Sequence, residues 1–235
     1  MLLVSNWERR ERSAYHCLSL RTLRKACARP ENPMHRLRGL YAITDGPRPD
    51  LHLAVAAALA GGAAVVQYRD KTRDEARRLE EVRLLAALCA RYAVPLIVND
   101  DPQLALTGRA AGVHLGSDDA DPAEARNLLG PGAIIGVSCY DSLTRAETAV
   151  ASGASYVAFG AFFASRTKPE ARCAPLALLR QSSSLGVPRV AIGGITPDNA
   201  SALIAAGADC VAVISSLFES TDIESAARRF SSLFS

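Results

Sequence analysis

Two short apolar runs in this chain each stop abruptly in carboxylates. Val94-Pro95-Leu96-Ile97-Val98 leads into Asn99-Asp100-Asp101, and Gly112-Val113-His114-Leu115 leads through Gly116 into Ser117-Asp118-Asp119. Hard carboxylate oxygens at the ends of successive strands suit a magnesium ion that also takes phosphate oxygens as ligands. Asp also favours helix N-caps, so each acid has a second reading as a cap. The same order of strand and acid in two places favours the metal. A third cluster, Gln67-Tyr68-Arg69-Asp70-Lys71, follows another apolar run. If that strand continues, Gln67, Arg69 and Lys71 face one way. Arginine then grips a polyphosphate as a fork and lysine as a point charge. A solvated rim is the plainer reading of the same two cations.

These groups need a scaffold, and the chain repeats one unit that supplies it. From Gly39 onward a short apolar strand alternates with an amphipathic helix. The strands read as Leu40–Thr44, Ala64–Tyr68, Leu96–Asn99, Gly112–Leu115, Ile134–Val137, Tyr156–Gly160, Val190–Gly193 and Val211–Ile214. Between the second and third, Leu79, Val82, Leu85, Ala86 and Leu88 recur at helical spacing, with charges on the opposite face. Most strands are apolar runs with little alternation, as a parallel sheet covered on both faces requires. Eight units with short loops predict one α/β domain, a (β/α)8 barrel. No G-x-G-x-x-G follows the first strand, which removes the main dinucleotide-binding alternative.

Barrel sites form at strand C-termini. That rim collects Gln67 to Lys71, Asn99, Asp100, Asp119 and Ser138, then Ser165-Arg166-Thr167-Lys168 after strand six. Gly193-Gly194 ends strand seven, and Ile214-Ser215-Ser216 ends strand eight. Glycine and small residues there match a barrel phosphate site built from backbone N–H groups, and a simple tight turn is the alternative for the glycines.

Composition narrows the class. The 235 residues, 49% hydrophobic, can bury a sizeable core. Leu53–Val66 is the longest apolar stretch and falls short of the ~20 residues a membrane span needs. Cys17, Cys27, Cys89, Cys139, Cys173 and Cys210 show no C-x-x-C spacing, which points to a reducing cytoplasm. Seven basic residues against three acids precede Met34, more than the whole chain's formal +3, and the rest carries −1. The body is not basic, so no nucleic-acid surface is expected. Residues 1–35 read as a disordered extension or a mis-assigned start before Met34, and 36–235 as the single catalytic domain.

The motifs together resemble the thiamine-phosphate synthase family. They are Gly39-Leu40-Tyr41-Ala42-Ile43-Thr44-Asp45, the Q-x-R-x-K of 67–71, Asn99-Asp100-Asp101 and Gly112 to Gly116. Gly136-Val137-Ser138, Arg166-Thr167-Lys168, Ala191 to Ile195 and Val213-Ile214-Ser215 complete the set, in family order over residues 39–218. The resemblance implies a transferase of thiamine biosynthesis. It joins an aminopyrimidine methyl pyrophosphate to a thiazole phosphate and releases pyrophosphate. It implies that Gln67, Tyr68, Arg69, Asp70, Lys71, Asn99, Ser138 and Lys168 hold the pyrimidine pyrophosphate, with Arg69, Lys71, Ser138 and Lys168 acting in catalysis. It implies that Asp100 and Asp119 hold one Mg2+, with Asp101 and Asp118 left to capping or outer positions. Ser165, Arg166, Thr167, Gly194, Ile214 and Ser215 would hold the thiazole phosphate. The chain departs from the family's Thr-x-Thr-Lys at Ser165 to Lys168, where serine keeps a hydroxyl and Arg166 adds a charge. The partners implied are small-molecule substrates in the cytoplasm, with a homo-oligomer left open, and the loop Phe162–Cys173 is the candidate lid. His114 is expected to pack inside the barrel without a catalytic role. Two rivals stand beside this reading: a thiazole tautomerase with His114 as base, and a non-catalytic phosphate-binding regulatory barrel.

Overall fold

The computed structural model describes residues 37–164 and 173–234. Eight parallel strands close on themselves in sequence order: β1 Gly39–Ile43, β2 Ala63–Tyr68, β3 Leu96–Asn99, β4 Gly112–Leu115, β5 Ile134–Tyr140, β6 Tyr156–Gly160, β7 Arg189–Ile192 and β8 Cys210–Val213. β8 pairs back onto β1, with Leu40 opposite Val211. The (β/α)8 barrel expected from the repeat is the fold. Most strand bounds fall within one residue of the expected ones; β5 runs on to Tyr140 through an irregularity at Ser138/Tyr140.

Helices follow the strands as α1 Leu51–Ala60, α2 Glu75–Arg91, α3 Pro102–Gly108, α4 Pro122–Leu129, α5 Leu143–Ala151, α6 Ala177–Gln181, α7 Pro197–Ala205, α8 Ser215–Phe218 and α9 Ile223–Ser231. Short polar residues start many of them. Asp74, Asp101, Asp121, Ser142 and Asp222 each accept a backbone N–H of the first turn, contacts worth about 1 kcal/mol apiece. Asp101 is therefore a cap, as one of its two readings allowed, whereas α4 takes Asp121 and leaves Asp118 and Asp119 uncommitted to that helix.

The core has two shells, and strand parity sorts residues between them. Val66, Val98, Val113, Ile135, Val157 and Val211 pack outward against the helices. Tyr41, Ile43, Val65, Ile97, Ile134, Tyr156, Val190 and Ala212 fill the barrel interior. Both shells are apolar, so the strands read as continuous runs even though neighbouring residues face opposite ways. Among the described residues no helix is long and apolar enough to cross a membrane. The expectations for residues 1–35 lie outside the described residues.

Candidate active site

At the C-terminal end of the strands lies a cavity of about 1080 Å³. Its lining includes Gln67, Arg69, Lys71, Asn99, Asp100, Asp119, Ser138, Gly194, Ile214 and Ser215, brought together from β2, β3, β4, β5, β7 and β8 or the loops after them. Ser165, Arg166, Thr167 and Lys168 lie outside the described residues, as does most of the candidate lid.

The β2 cluster divides by parity. Gln67 and Arg69 face the cavity, Gln67 almost fully buried at 2% exposure and Arg69 part-exposed above it. Thr44, itself buried, fastens Arg69 at the backbone: its Oγ1 accepts Arg69 N–H at 2.8 Å and lies 3.2 Å from the Arg69 carbonyl. Tyr68 and Asp70, grouped above with the residues holding pyrophosphate, instead face the helix layer. Tyr68 Oη lies 2.6 Å from Glu81, and Asp70 takes Arg77 at 2.6 Å and Thr72 N–H at 2.8 Å. Alternation along the chain imposes this, since adjacent side chains of an extended segment point to opposite faces. Burial alone would raise the Asp70 pKa, but Thr72 N–H and Arg77 outweigh it and hold the carboxyl below its ordinary value.

Asp100 and Asp119 are neighbours across the β3–β4 rim. Asp100 has a left-handed backbone, φ +64°, an uncommon state for a residue with a side chain. Its N–H is anchored on the His114 carbonyl at 2.8 Å. Asp119 accepts the Gly116 N–H at 2.6 Å, which folds its loop back onto the end of β4. Burial, and then the adjacent Asp119 carboxylate, push the Asp100 pKa above the usual range, while Lys71 Nζ stands 3.8 Å from Asp100 and opposes that rise. Two acids held against each other on a partly buried rim form a donor set that a divalent cation relieves. The two carboxylates fit a magnesium ion, which would take its remaining ligands from water and phosphate.

On the opposite rim Gly193 and Gly194 have φ of +103° and +62°. A Cβ on Gly194 would fall 2.4 Å from the Ala164 carbonyl oxygen, so this turn can pack under the β6 loop only as glycine. Asn199 donates to the Gly194 carbonyl at 3.0 Å, and Ser216 Oγ donates to the Ile195 carbonyl at 2.7 Å, joining the ends of β7 and β8.

Three site residues escaped the sequence reading in whole or part. Tyr41 and Tyr156 reach across the barrel beneath the cavity, their hydroxyls 2.7 Å apart. His114 does pack inside the barrel, stacked on Tyr156 with ring centroids 5.6 Å apart, yet it also lines the cavity and bonds Ser138. Burial lowers its pKa to about 4. Parity was the signal available: Tyr41 and Tyr156 share the inward register of Ile43 and Ala158.

A family model described as thiamine monophosphate synthase matches residues 40–217. The thiamine-phosphate synthase of Nitrosococcus oceani is 54% identical over 198 residues, covering 83% of this chain and 91% of that protein. That of Halorhodospira halophila is 54% identical over 195 residues, covering 83% and 93%. Among solved structures, thiamine phosphate pyrophosphorylase from Pyrococcus furiosus superposes with a TM-score of 0.77 at 33% identity, covering 85% of this chain and 96% of that one. A 3-hexulose-6-phosphate synthase, at 17% identity and a TM-score of 0.63, shares the fold. The chain belongs to the thiamine monophosphate synthase family.

Proposed function

We propose that this chain condenses an aminopyrimidine methyl pyrophosphate with a thiazole phosphate, giving thiamine monophosphate and pyrophosphate in the cytoplasm. The observation that carries this reading is convergence: Arg69 and Lys71 meet Asp100 and Asp119 on one rim, facing a two-glycine turn across the same cavity.

The charges supply the chemistry. The aminopyrimidine feeds electrons into its exocyclic carbon, so the bond to pyrophosphate breaks as a cation forms. The obstacle is the charge that builds on the departing pyrophosphate. Arg69 and Lys71 stand where that charge develops, and Lys168 is assigned the same task. Asp100 and Asp119 would hold Mg2+, which supplies Lewis-acid neutralisation of the leaving group. Asn99 and Ser138 orient the pyrimidine substrate from β3 and β5. Gly194, Ile214 and Ser215, with Ser165 to Thr167, hold the thiazole phosphate so that the ring nitrogen attacks the cation from a fixed distance. That nitrogen carries no proton, so the coupling requires no general base.

The tautomerase alternative needs a base. His114 is a poor one, because Tyr156 and Ser138 occupy both ring nitrogens and its pKa is pushed down to about 4. The deciding experiment measures pyrophosphate release with both substrates, with and without magnesium. Release that requires both substrates and the metal is expected. Tautomerisation of thiazole phosphate without any pyrophosphate release would overturn the reading.

A further inference from the structure

Beneath the cavity runs a line of hydrogen bonds that the coupling chemistry leaves unused. Gln67 Nε2 donates to Tyr41 Oη at 2.9 Å, and Tyr41 Oη lies 2.7 Å from Tyr156 Oη. Tyr156 Oη is 2.9 Å from His114 Nδ1, and His114 Nε2 is 2.9 Å from Ser138 Oγ. The line crosses the barrel from β2 through β1 and β6 to β4 and β5. Gln67, Tyr41, His114 and Ser138 line the cavity, whereas Tyr156 is 0% exposed.

Counting protons sets the direction of the line. Gln67 Nε2 can only donate, so Tyr41 accepts there, and every phenol proton stays bonded within the line only if Tyr41 donates its own to Tyr156. Tyr156 then spends its proton on His114 Nδ1, which must be bare. The imidazole proton therefore sits on Nε2 and is donated to Ser138 Oγ. The serine proton is left over, and it can point at a ligand. The opposite direction has Tyr41 accept from both Gln67 and Tyr156, which leaves the Tyr41 proton no partner in the line, and has Ser138 donate to Nε2, which leaves serine only lone pairs to offer an anion.

The sequence makes room for this arrangement at one position. A Cβ on Gly136 would lie 2.0 Å from Tyr156 Cζ, so glycine in β5 is what lets the phenol reach the middle of the barrel.

We infer that Tyr41, Tyr156 and His114 are positioning residues that hold His114 in its Nε2–H form and thereby turn the Ser138 hydroxyl into a donor toward the pyrophosphate substrate. This rests on the proposed reading of the cavity, in which Ser138 touches that substrate. None of the three needs to meet a reacting atom. Their effect on the reaction passes through Ser138 alone.

Two measurements on the full chain test this. In the first, Tyr156→Phe keeps the ring and removes one link. It is expected to lower kcat/KM for pyrophosphate release roughly tenfold in the otherwise unaltered chain, yet by no more than about twofold in a Ser138→Ala background. Equal losses in both backgrounds would mean that Tyr156 serves only the packing and would overturn the inference. Tyr41→Phe, which breaks the line one step earlier, takes the same place if Tyr156→Phe does not fold. In the second, 15N NMR of labelled histidine, assigned with His114→Gln, is expected to show His114 protonated at Nε2 and bare at Nδ1. The reverse tautomer would overturn the direction of the line. A chain that released no pyrophosphate at all would sink the reading of the cavity, while the tautomer measurement would still judge the line by itself.

Discussion

Asp100 combines three costs in one residue: a left-handed backbone, partial burial and a second carboxylate beside it. Strained backbone of this kind typically costs ~1–3 kcal/mol, less for Asp than for most residues, and survives where the surroundings enforce it. Here the bond from its N–H to the His114 carbonyl does so. Asp100→Ala is expected to lower turnover by orders of magnitude at limiting magnesium while leaving the circular dichroism spectrum unchanged. Near-normal turnover would remove Asp100 from the metal set. Asp101→Ala makes the contrasting case, because that side chain caps α3 through Leu104 N–H at 2.8 Å. It is expected to cost about 1 kcal/mol in urea denaturation with little change in rate. Lys71→Ala removes a cation from the leaving-group side and is expected to cost ~2–4 kcal/mol of transition-state stabilisation, read as the ratio of kcat/KM values.

At the scale of elements, the turn between β2 and α2 shows how the structural face of a motif serves its chemical face. Asp70, its side chain 1% exposed, joins Arg77 and Thr72, and Arg77 in turn bonds Glu81. This cluster fixes the backbone between Arg69 and Lys71, so that both cations leave the turn on the cavity side. Asp70→Ala is expected to destabilise the protein by about 2 kcal/mol at pH 7 and to raise KM for the pyrimidine substrate more than it lowers kcat. The pH dependence has a definite sign. A carboxyl whose pKa is depressed on folding contributes stability above its unfolded value, and that stability is lost as pH falls through the folded one. The gap between wild type and Asp70→Ala should therefore be full at neutral pH, narrow below the ordinary aspartate value of 3.8, and vanish at still lower pH. A gap that persisted in acid would assign the loss to packing. On the far rim, Gly194→Ala meets both a left-handed φ and the Ala164 carbonyl. It is expected to weaken thiazole phosphate binding with little effect on the pyrimidine substrate, measured by KM for each.

For the whole molecule, closure of eight strands is what makes the site. No single βα unit encloses the cavity; it exists because β8 returns to β1 and brings the β2–β5 rim opposite the β7–β8 rim. The first strand of the barrel begins at Gly39. A chain starting at Met34 is accordingly expected to match the full chain in turnover and in Tm. A fall of several degrees in Tm on truncation would show that residues before Met34 contribute to the folded domain.

The sequence by itself determined the strand and helix periods, hence the barrel, because a sheet covered on both faces demands apolar runs and amphipathic crossovers between them. It also carried the acids at the ends of β3 and β4 and the cations after β2, since short-range alternation already places Gln67, Arg69 and Lys71 together. Tertiary structure decided which member of each motif does what. Tyr68 and Asp70 lie inside the same five-residue motif as Arg69, yet the pleat turns them to the helix layer, where they brace the turn. The line from Gln67 to Ser138 joins residues from five strands, up to 115 positions apart at the Tyr41–Tyr156 contact. Hydrophobic pattern cannot reveal it, because both shells of this barrel are apolar. Tyr41 and Tyr156 look like ordinary core residues until ring closure brings their hydroxyls together.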